Sequence, residues 1–331
     1  MIFIEPKSYD SAFHFATEEF CMNHFPPGTI IWMLWRTNNC IMLGSNQVPE
    51  LEIDMKVAKE HGIQIVRRPS GGGTIFTDPA TIQYTVIMPY HKEMDTKQAK
   101  EQMLAAPILE VINKELSVPA NLEGRNDIII DGRKISGLAQ HIGNNRLCSH
   151  GSLLYDTDLD ILDKVLNPGN DKITSKSITS VKSRVTNLKS HMTSPMDTDS
   201  FFRLFKDTLI SSNQMEEYTL TEYDITRIYK IRLEKYANDR WTYGKTPKFT
   251  YHNRVKYPMG IVEVYLTVNK GVVTECSIRG DFLGLIPIAT LEEAIIGLDY
   301  QRDAVEIALS QINLRVYLGG ITREQLLDTL F

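Results

Sequence analysis

The stretch Arg67–Asp78, RRPSGGGTIFTD, decides how the rest of the chain is read. It follows Gly62–Val66, GIQIV, a short apolar, β-branched run that reads as a strand. Each glycine in a regular element costs roughly 0.5–1 kcal/mol relative to alanine, so something must come close to the backbone at Gly71, Gly72 and Gly73. A glycine run behind a strand exposes successive N–H groups and can wrap a phosphate, with the arginines adding charge. The run is neither GxxxxGK[ST] nor GxGxxG, so the two common nucleotide fingerprints do not apply, and a plain tight turn stays open.

Outward from this loop, strands and helices alternate. Asp10 is placed to cap a helix through His24, with Ala12, Phe13, Ala16 and Phe20 on its core face. Ile30–Trp35 and Cys40–Leu43 read as buried strands, Asp54–His61 as a helix stopped at Gly62, and Ile82–Met88 as a further strand. Asp95–Leu116 predicts a long amphipathic helix bent at Pro107, which lacks one backbone donor. Asp127–Gly137 predicts a hairpin turning at Asp131-Gly132. Asp158–Leu166 reads as a short helix, and the polar, basic Asp171–Lys189 as a mobile loop. Helices are expected near Thr198–Ser211 and Thr221–Ala237. A hairpin Ile261–Ile278 turning at Asn269-Lys270-Gly271 and three short helical segments close the chain. The expected fold class is α/β (α+β): a mixed-sheet domain over 1–245 and a small α+β domain over 246–331.

Composition narrows the classes. The 331 residues suit a large domain plus a smaller one. With 42% hydrophobic and 23% charged residues the chain is neither disordered nor fibrous. No leader pattern opens it and no window reaches the ~18 apolar residues of a membrane span, so a cytoplasmic protein with no membrane partner is expected. Cys21, Cys40, Cys148 and Cys276 are far apart and form no CxxC, which predicts reduced thiols rather than disulfides or zinc. A net charge of −5 argues against bulk nucleic-acid binding, so any anion site must be built locally.

Three further clusters could carry chemistry. In Gly124–Ala139, GRNDIIIDGRKISGLA, Asn126 and Asp127 precede a strand and Lys134 lies on its hairpin partner, so all three can face one cleft; a solvated edge lysine is the plain alternative. Cys148–Leu154, CSHGSLL, places His150 and Gly151 before an apolar strand, where a lone histidine is more often structural. Ser177–Asn187, SITSVKSRVTN, could fold over an anion, though most such loops are only solvated.

Taken in order, the clusters resemble the lipoate–protein ligases of the two-domain bacterial type. RRxSGGGxV(F/Y)HD is met by Arg67–Asp78, NDxxxxGxKxSGxA by Asn126–Ala139, HHGxLL by Ser149–Leu154, and SVxSRVxN by Ser180–Asn187. WTYGKTPKF and GDFLG are similar to the family's carboxy-terminal domain, so the resemblance spans essentially the whole chain.

The resemblance implies an ATP- and magnesium-dependent enzyme. It would join lipoate to AMP with release of pyrophosphate, then pass the lipoyl group to a lysine of an acceptor. Lipoyl domains of 2-oxoacid dehydrogenases and the glycine-cleavage H-type protein are the expected acceptors, and a monomer is the expected state. Lys134 would be catalytic, between acyl carbonyl and α-phosphate. Arg68, Ser70, Gly71, Gly72, Gly73, Thr74, Ile75, Phe76, Asp78, Asn126, Asp127, Gly137 and Ala139 would bind ATP and lipoyl-AMP, Asp127 also holding the metal. Ser180, Val181, Lys182, Ser183, Arg184 and Val185 would close over the adenylate, and His150 and Gly151 would line the lipoyl pocket. Arg67, Lys176, Lys182, Arg184 and Lys189 would form a basic rim for acidic acceptors.

Several positions depart from the family pattern. Thr77 replaces a histidine, Pro79-Ala80-Thr81 replaces x-Gly-Asn, Ser45 a basic residue, Leu138 a small polar one, and Ser149 the first histidine of HHG. These changes bear on the acyl substrate and the acceptor. The rival readings are a cysteine-dependent octanoyl or lipoyl transferase using Cys148, a lipoyl-binding paralogue with reduced catalysis, and a biotin ligase, whose GRGR-type loop MLGSNQ replaces.

Overall fold

A computed structural model describes residues 1–166, 181–243, 249–269 and 271–331. Fourteen strands are named along the chain: β1 Ile2–Ile4, β2 Ile31–Trp35, β3 Cys40–Leu43, β4 Gln64–Arg67, β5 Ile75–Thr77, β6 Thr81–Pro89 and β7 Asn121–Glu123. They continue as β8 Asp127–Ile130, β9 Arg133–Gly143, β10 Arg146–Leu154, β11 Glu216–Glu217, β12 Tyr251–Tyr257, β13 Gly260–Asn269 and β14 Val272–Gly280.

Eight of them form one sheet in the order β11-β1-β2-β6-β10-β9-β8-β7. It is mixed: β1 runs parallel to β2 and β11, and the remaining pairs are antiparallel. Both faces are covered, as β2 illustrates. Its Ile31, Met33 and Trp35 pack toward helix Ser11–His24, while Trp32 and Leu34 pack with the helical segments of 96–115 and 198–212. A strand buried on both sides reads as a continuous apolar run, which is why IWMLW shows no alternation. Asp10 caps the first helix by accepting from Ala12 N–H, and nearly every side chain as far as Met22 is buried, a wider face than the expected stripe.

The small sheet β4-β3-β5 carries the glycine run, with β4 parallel and β5 antiparallel to β3. The expected single helix over 95–116 is instead α-helical in Thr96–Lys100 and Ala106–Glu110 and π-helical in Glu101–Ala105 and Val111–Glu115. Pro107 begins the second α-helical turn, directly after a π-helical one, where its missing donor is tolerated. The hairpin β8-β9 turns at Asp131 (φ 47) and Gly132 (φ 71), the left-handed pair that two-residue hairpins require.

Two expectations need correction. The described part of the presumed loop is ordered: Val181–Arg184 is a helical turn, Leu188–His191 a 3-10 turn, and Lys189 N–H donates to Tyr155 O. Four helical segments, rather than three, close the chain: Ala289–Glu293, Arg302–Ser310, Leu314–Leu318 and Arg323–Leu330. They pack with β12-β13-β14 around a separate core of Val262, Val264, Leu266, Ile278, Phe282 and Leu318, among others. The expected boundary at 245/246 lies outside the described residues.

Candidate active site

The glycine run crosses from β4 to β5 over the large sheet, and what it approaches first is protein. A Cβ on Gly71 would lie 2.5 Å from Phe282 O, and one on Gly44 would lie 2.0 Å from Gly72 O. Gly72 sits at φ +94 and its N–H donates to Phe282 O at 3.2 Å. Gly73 differs: a Cβ there meets nothing within 4 Å. Gly71 therefore admits neighbouring backbone, Gly72 takes a positive φ between the Leu283 and Arg68 side chains, and Gly73 faces open space.

The arginines hold this loop in shape. Arg68 is 6% exposed and uses Nε on Ser70 Oγ (3.1 Å), Nη1 on Met42 O (2.9 Å), and Nη2 on Gly71 O and Gly73 O (2.8 Å each). Four of the five guanidinium donors are thus engaged with the loop and β3. Arg67, also 6% exposed, donates to Thr242 O, Gly44 O and Gln47 O, so it does not stand on the expected rim. On that rim Lys182 pairs with Asp160 and Lys189 with Asp156, and Lys176 lies outside the described residues.

Ser70 extends the loop inward. Its Oγ is 2.6 Å from His150 Nε2, and His150 Nδ1 lies 3.1 and 3.2 Å from the two Glu18 oxygens. Thr85 donates to Glu18 Oε1 at 2.6 Å and receives Trp35 Nε1–H at 3.1 Å. Burial alone would raise the Glu18 carboxyl, but the interaction with His150 and the hydrogen bonds outweigh it and hold it below its ordinary value. Glu18 is an acceptor only, so His150 Nδ1 carries the proton between them. Glu18, Cys148 and His150 bring donor atoms within 4.8 Å of one another. Carboxylate and imidazole already satisfy each other there, so the geometry is that of a buried hydrogen-bonded pair rather than a metal centre. The sequence reading missed Glu18, whose signal was a carboxylate one turn from Phe15 and from Met22 on a fully buried helix.

At the other end of the cleft, a β-bulge inserts Ile135 between the pairs Ile128↔Ser136 and Ile129↔Lys134, and so re-aims Lys134. Its Nζ reaches Asp127 Oδ1 at 2.7 Å, both side chains being about one-third exposed (34% and 38%). The angle is not that of a hydrogen bond: Asp127 Oδ1 is buried and accepts none. Gly137 leaves room for the end of the Lys134 side chain, since a Cβ there would lie 2.7 Å from Nζ and push it aside. Asn126 is fixed by its Nδ2–H to Leu138 O at 3.0 Å.

Two connected cavities meet at Lys134. One, about 150 Å³, is lined by Trp35, Gly72, Gly73, Asn126, His150 and Leu283, among others. The other, about 270 Å³, includes Phe76, Asp127, Ser136, Arg184 and Val185, and both share Thr74, Ile75, Lys134, Gly137 and Ser152. Ala139 and Gly151 line the first; a Cβ on Gly151 would strike Tyr84 at 2.6 Å. Thr186 N–H donates to Lys134 O at 2.9 Å, which ties the 181–186 segment to the site. A larger cleft of about 660 Å³, lined in part by Ser45, Arg67, His141 and Trp241, contains neither Lys134 nor Asp127. Lys134 and Asp127 line the smaller cavities.

Not all expected residues gather there. Asp78 accepts from Ala80 N and Thr81 Oγ1 with one oxygen and from Asp158 N with the other, so it ties the turn before β6 to the start of the helix Leu159–Val165. Lys182 is exposed and paired with Asp160, Ser183 is exposed as well, and Ser180 lies outside the described residues. Among the departures from the family pattern, Thr77 Oγ1 meets Thr37 Oγ1 at 2.7 Å and Ser149 Oγ accepts from Gln140 at 2.8 Å, so both replacements are satisfied in place.

The chain thus joins a large mixed-sheet unit, which holds Lys134 at the seam of two cavities, to a small α+β unit. Both units match domains of one family. Residues 10–210 match the lipoyl protein ligase A/B catalytic domain and residues 246–330 the bacterial lipoate protein ligase C-terminus. The chain is 35% identical to lipoate-protein ligase LplJ of Bacillus subtilis (strain 168), with all of both chains covered. It is 31% identical to lipoate–protein ligase 1 of Staphylococcus aureus (strain Mu50), with 96% of each covered. In fold it is similar to Plasmodium falciparum LipL1 in complex with lipoate, at TM-score 0.77 and 20% identity over 99% of this chain and 97% of that one. It is likewise similar to a lipoate-protein ligase A bound with ATP, at TM-score 0.58 and 22% identity over 73% of this chain and 97% of that one. The chain belongs to the lipoate–protein ligase family and is an enzyme of that family. Among the described residues no helix is long and apolar enough to cross a membrane.

Proposed function

We propose that the enzyme activates lipoate with ATP and transfers the lipoyl group, through lipoyl-AMP, to a lysine of a lipoyl domain or a glycine-cleavage H-type protein. The observation that carries this reading is Lys134 Nζ, aimed by the bulge and the missing Cβ of Gly137 to the seam between the two cavities.

In the first step a lipoate carboxylate oxygen attacks the α-phosphorus of ATP, and the bond to the β-phosphate oxygen breaks to release pyrophosphate. Two anions must approach, and a fixed ammonium lowers that barrier. Lys134 donates to the carboxylate and the α-phosphate as they meet. In the second step the acceptor amine, having lost its proton, attacks the acyl carbon; the C–O bond to phosphate breaks and AMP leaves, again with charge growing beside Lys134. The acyl chain runs past Trp35 toward His150, and Gly73, where a Cβ would meet nothing within 4 Å, borders the open space in which phosphate would sit. Asp127, whose carboxylate also meets Lys134 Nζ at 2.7 Å, would be the residue to hold magnesium, which would offset phosphate charge there. Arg184 and Val185, tied to Lys134 through its backbone, keep water from the mixed anhydride.

A thioester route through Cys148 is the weaker reading. Burial, and then the Glu18 charge, push that thiol far above its ordinary value, which removes the thiolate such a route needs. The test is pyrophosphate release with magnesium-ATP and lipoate, without acceptor, in the wild type and in Lys134→Ala and Cys148→Ala. Release that requires lipoate and Lys134 but not Cys148 is expected. Release that survives loss of Lys134, or acyl transfer that needs Cys148 and no ATP, would overturn the proposal.

A further inference from the structure

A fourth space, about 380 Å³, lies between the two units, and no motif accounts for it. Its ionisable lining residues are all cations: Lys97, Lys100 and Arg125 from the catalytic unit and Arg315 from the carboxy-terminal one. Countercharge is scarce. Lys97 Nζ stands 3.8 Å from Glu101, Lys100 Nζ donates to the carbonyl of Arg125 at 2.5 Å, and Arg125 donates to the carbonyl of Met259. Lys100 is only 7% exposed. Burial, together with the charges of Lys97 and Arg125, lowers its pKa, with Glu101 opposing. Burying an ammonium among like charges, with only a carbonyl bonded to it, costs stability unless an anion joins it.

The position is equally specific. Leu138, Ala139 and Leu283 line both this space and the cavity containing Lys134 and Asn126, and Arg125 directly precedes Asn126. The cationic space therefore continues from the point where an α-phosphate would meet Lys134.

We propose that this cleft is a polyphosphate site, which takes the β- and γ-phosphates of the nucleotide and then the departing pyrophosphate. The proposal rests on the ATP-dependent reading above and adds to it a contribution from the second unit. Arg315, at the start of helix Leu314–Leu318, supplies a guanidinium that can grip phosphate oxygens in pairs, so the site is complete only when both units stand as they do here. Leaving-group charge is then met by cations that Lys134 cannot supply while it holds the α-phosphate.

The experiment titrates inorganic pyrophosphate into the full-length protein at low salt by calorimetry, for wild type, Lys97→Gln and Arg315→Gln. Both side chains are exposed and removable without a packing change, and melting curves check that the variants fold. Each substitution is expected to raise the pyrophosphate Kd about tenfold while leaving the lipoate Kd unchanged. A second arm separates the two sources of the anion. A raised KM for ATP places the tail of the bound nucleotide in the cleft; an unchanged KM with weaker inhibition by added pyrophosphate places the released product there, and either outcome supports the site. No pyrophosphate binding by the wild type, or Kd values within about twofold of it in both variants, overturns the proposal. Wild-type protein that binds pyrophosphate through Arg315 yet releases none from ATP and lipoate would sink the ligation reading and leave the site standing.

Discussion

At one end of the cleft His150 is 6% exposed and both ring nitrogens are occupied, one by Ser70 and the other by a Glu18 carboxylate that Thr85 also supports. At the other end Lys134 is 34% exposed and meets Asp127 Oδ1 at 2.7 Å without making a hydrogen bond to it. The first end is complete without ligand, so it can hold a fixed shape for an apolar chain. The second is under-satisfied, so phosphate, carboxylate or metal adds bonds that the free protein lacks. Rigidity where the substrate is bland and unmet polarity where bonds change is what electrostatic preorganisation requires.

The largest effect should come from breaking the satisfied end. Glu18→Ala strands His150 beside Cys148 and removes the acceptor for Thr85 Oγ1, and leaving one member of a buried pair costs about 3–5 kcal/mol. Chemical denaturation should show that loss, with lipoate binding falling alongside. A variant of wild-type stability would mean that the Glu18–His150 pair carries no structural weight.

The under-satisfied end should fail differently. Lys134→Gln is expected to fold normally, since its side chain is one-third exposed, yet to lose about 10²–10³ in the rate of lipoate-dependent pyrophosphate release. Lipoate affinity should change little. A loss in KM alone, with the maximal rate intact, would reassign Lys134 to binding.

Much of this contrast was legible in the residues. The hairpin through Asp131-Gly132 gave itself away by its turn pair, and the β2 and β3 runs by their unbroken hydrophobicity. Lys134 and Asn126 were found because motif order marked them. Glu18 was not, since a carboxylate inside a helix becomes buried only when a distant strand brings His150 to it, and no local period encodes that contact. For the same reason the partners of Arg67, Arg68 and Asp78 were not legible: charge is visible in a sequence, whereas the carbonyls and amides that meet it come from Thr242, Met42 and Asp158, at other places along the chain. The bulge at Ile135 likewise depends on pairing register.

The glycine run offers a finer division. Gly71→Ala places a methyl 2.5 Å from Phe282 O and 3.2 Å from Gly284 N, backbone atoms that cannot simply rotate away. It should cost about 1–3 kcal/mol and loosen the contact between the two units, measurable as faster amide exchange at Gly72. Gly73→Ala meets nothing, so stability should stay within about 0.5 kcal/mol of wild type while turnover falls, because the methyl fills space kept for a ligand. Full turnover in Gly73→Ala would mean that the third glycine serves the turn alone.

The gentlest probe is acid. Burial lowers His14 to about 4, and burial, then repulsion from His150, lowers His141 to about 3. Both folded values lie below the ordinary 6.5, so as pH falls the unfolded chain takes up protons first. The stability they carry is whole above that value and is lost as pH drops through the folded values; at pH 5.5 each accounts for about 1.4 kcal/mol. Glu18 follows later. Its carboxyl titrates below the ordinary 4.5, so its contribution persists above that point and goes only as pH falls through the lowered value. Urea midpoints at pH 7.5 and 5.5 should therefore differ in the wild type, and His141→Gln should remove about half of that difference. The ring of His141 is 5.9 Å from that of His150, so this loss belongs to the satisfied end of the cleft and not to Lys134. An equal drop in both proteins would place the acid sensitivity elsewhere in the chain and dissolve that distinction between the two ends.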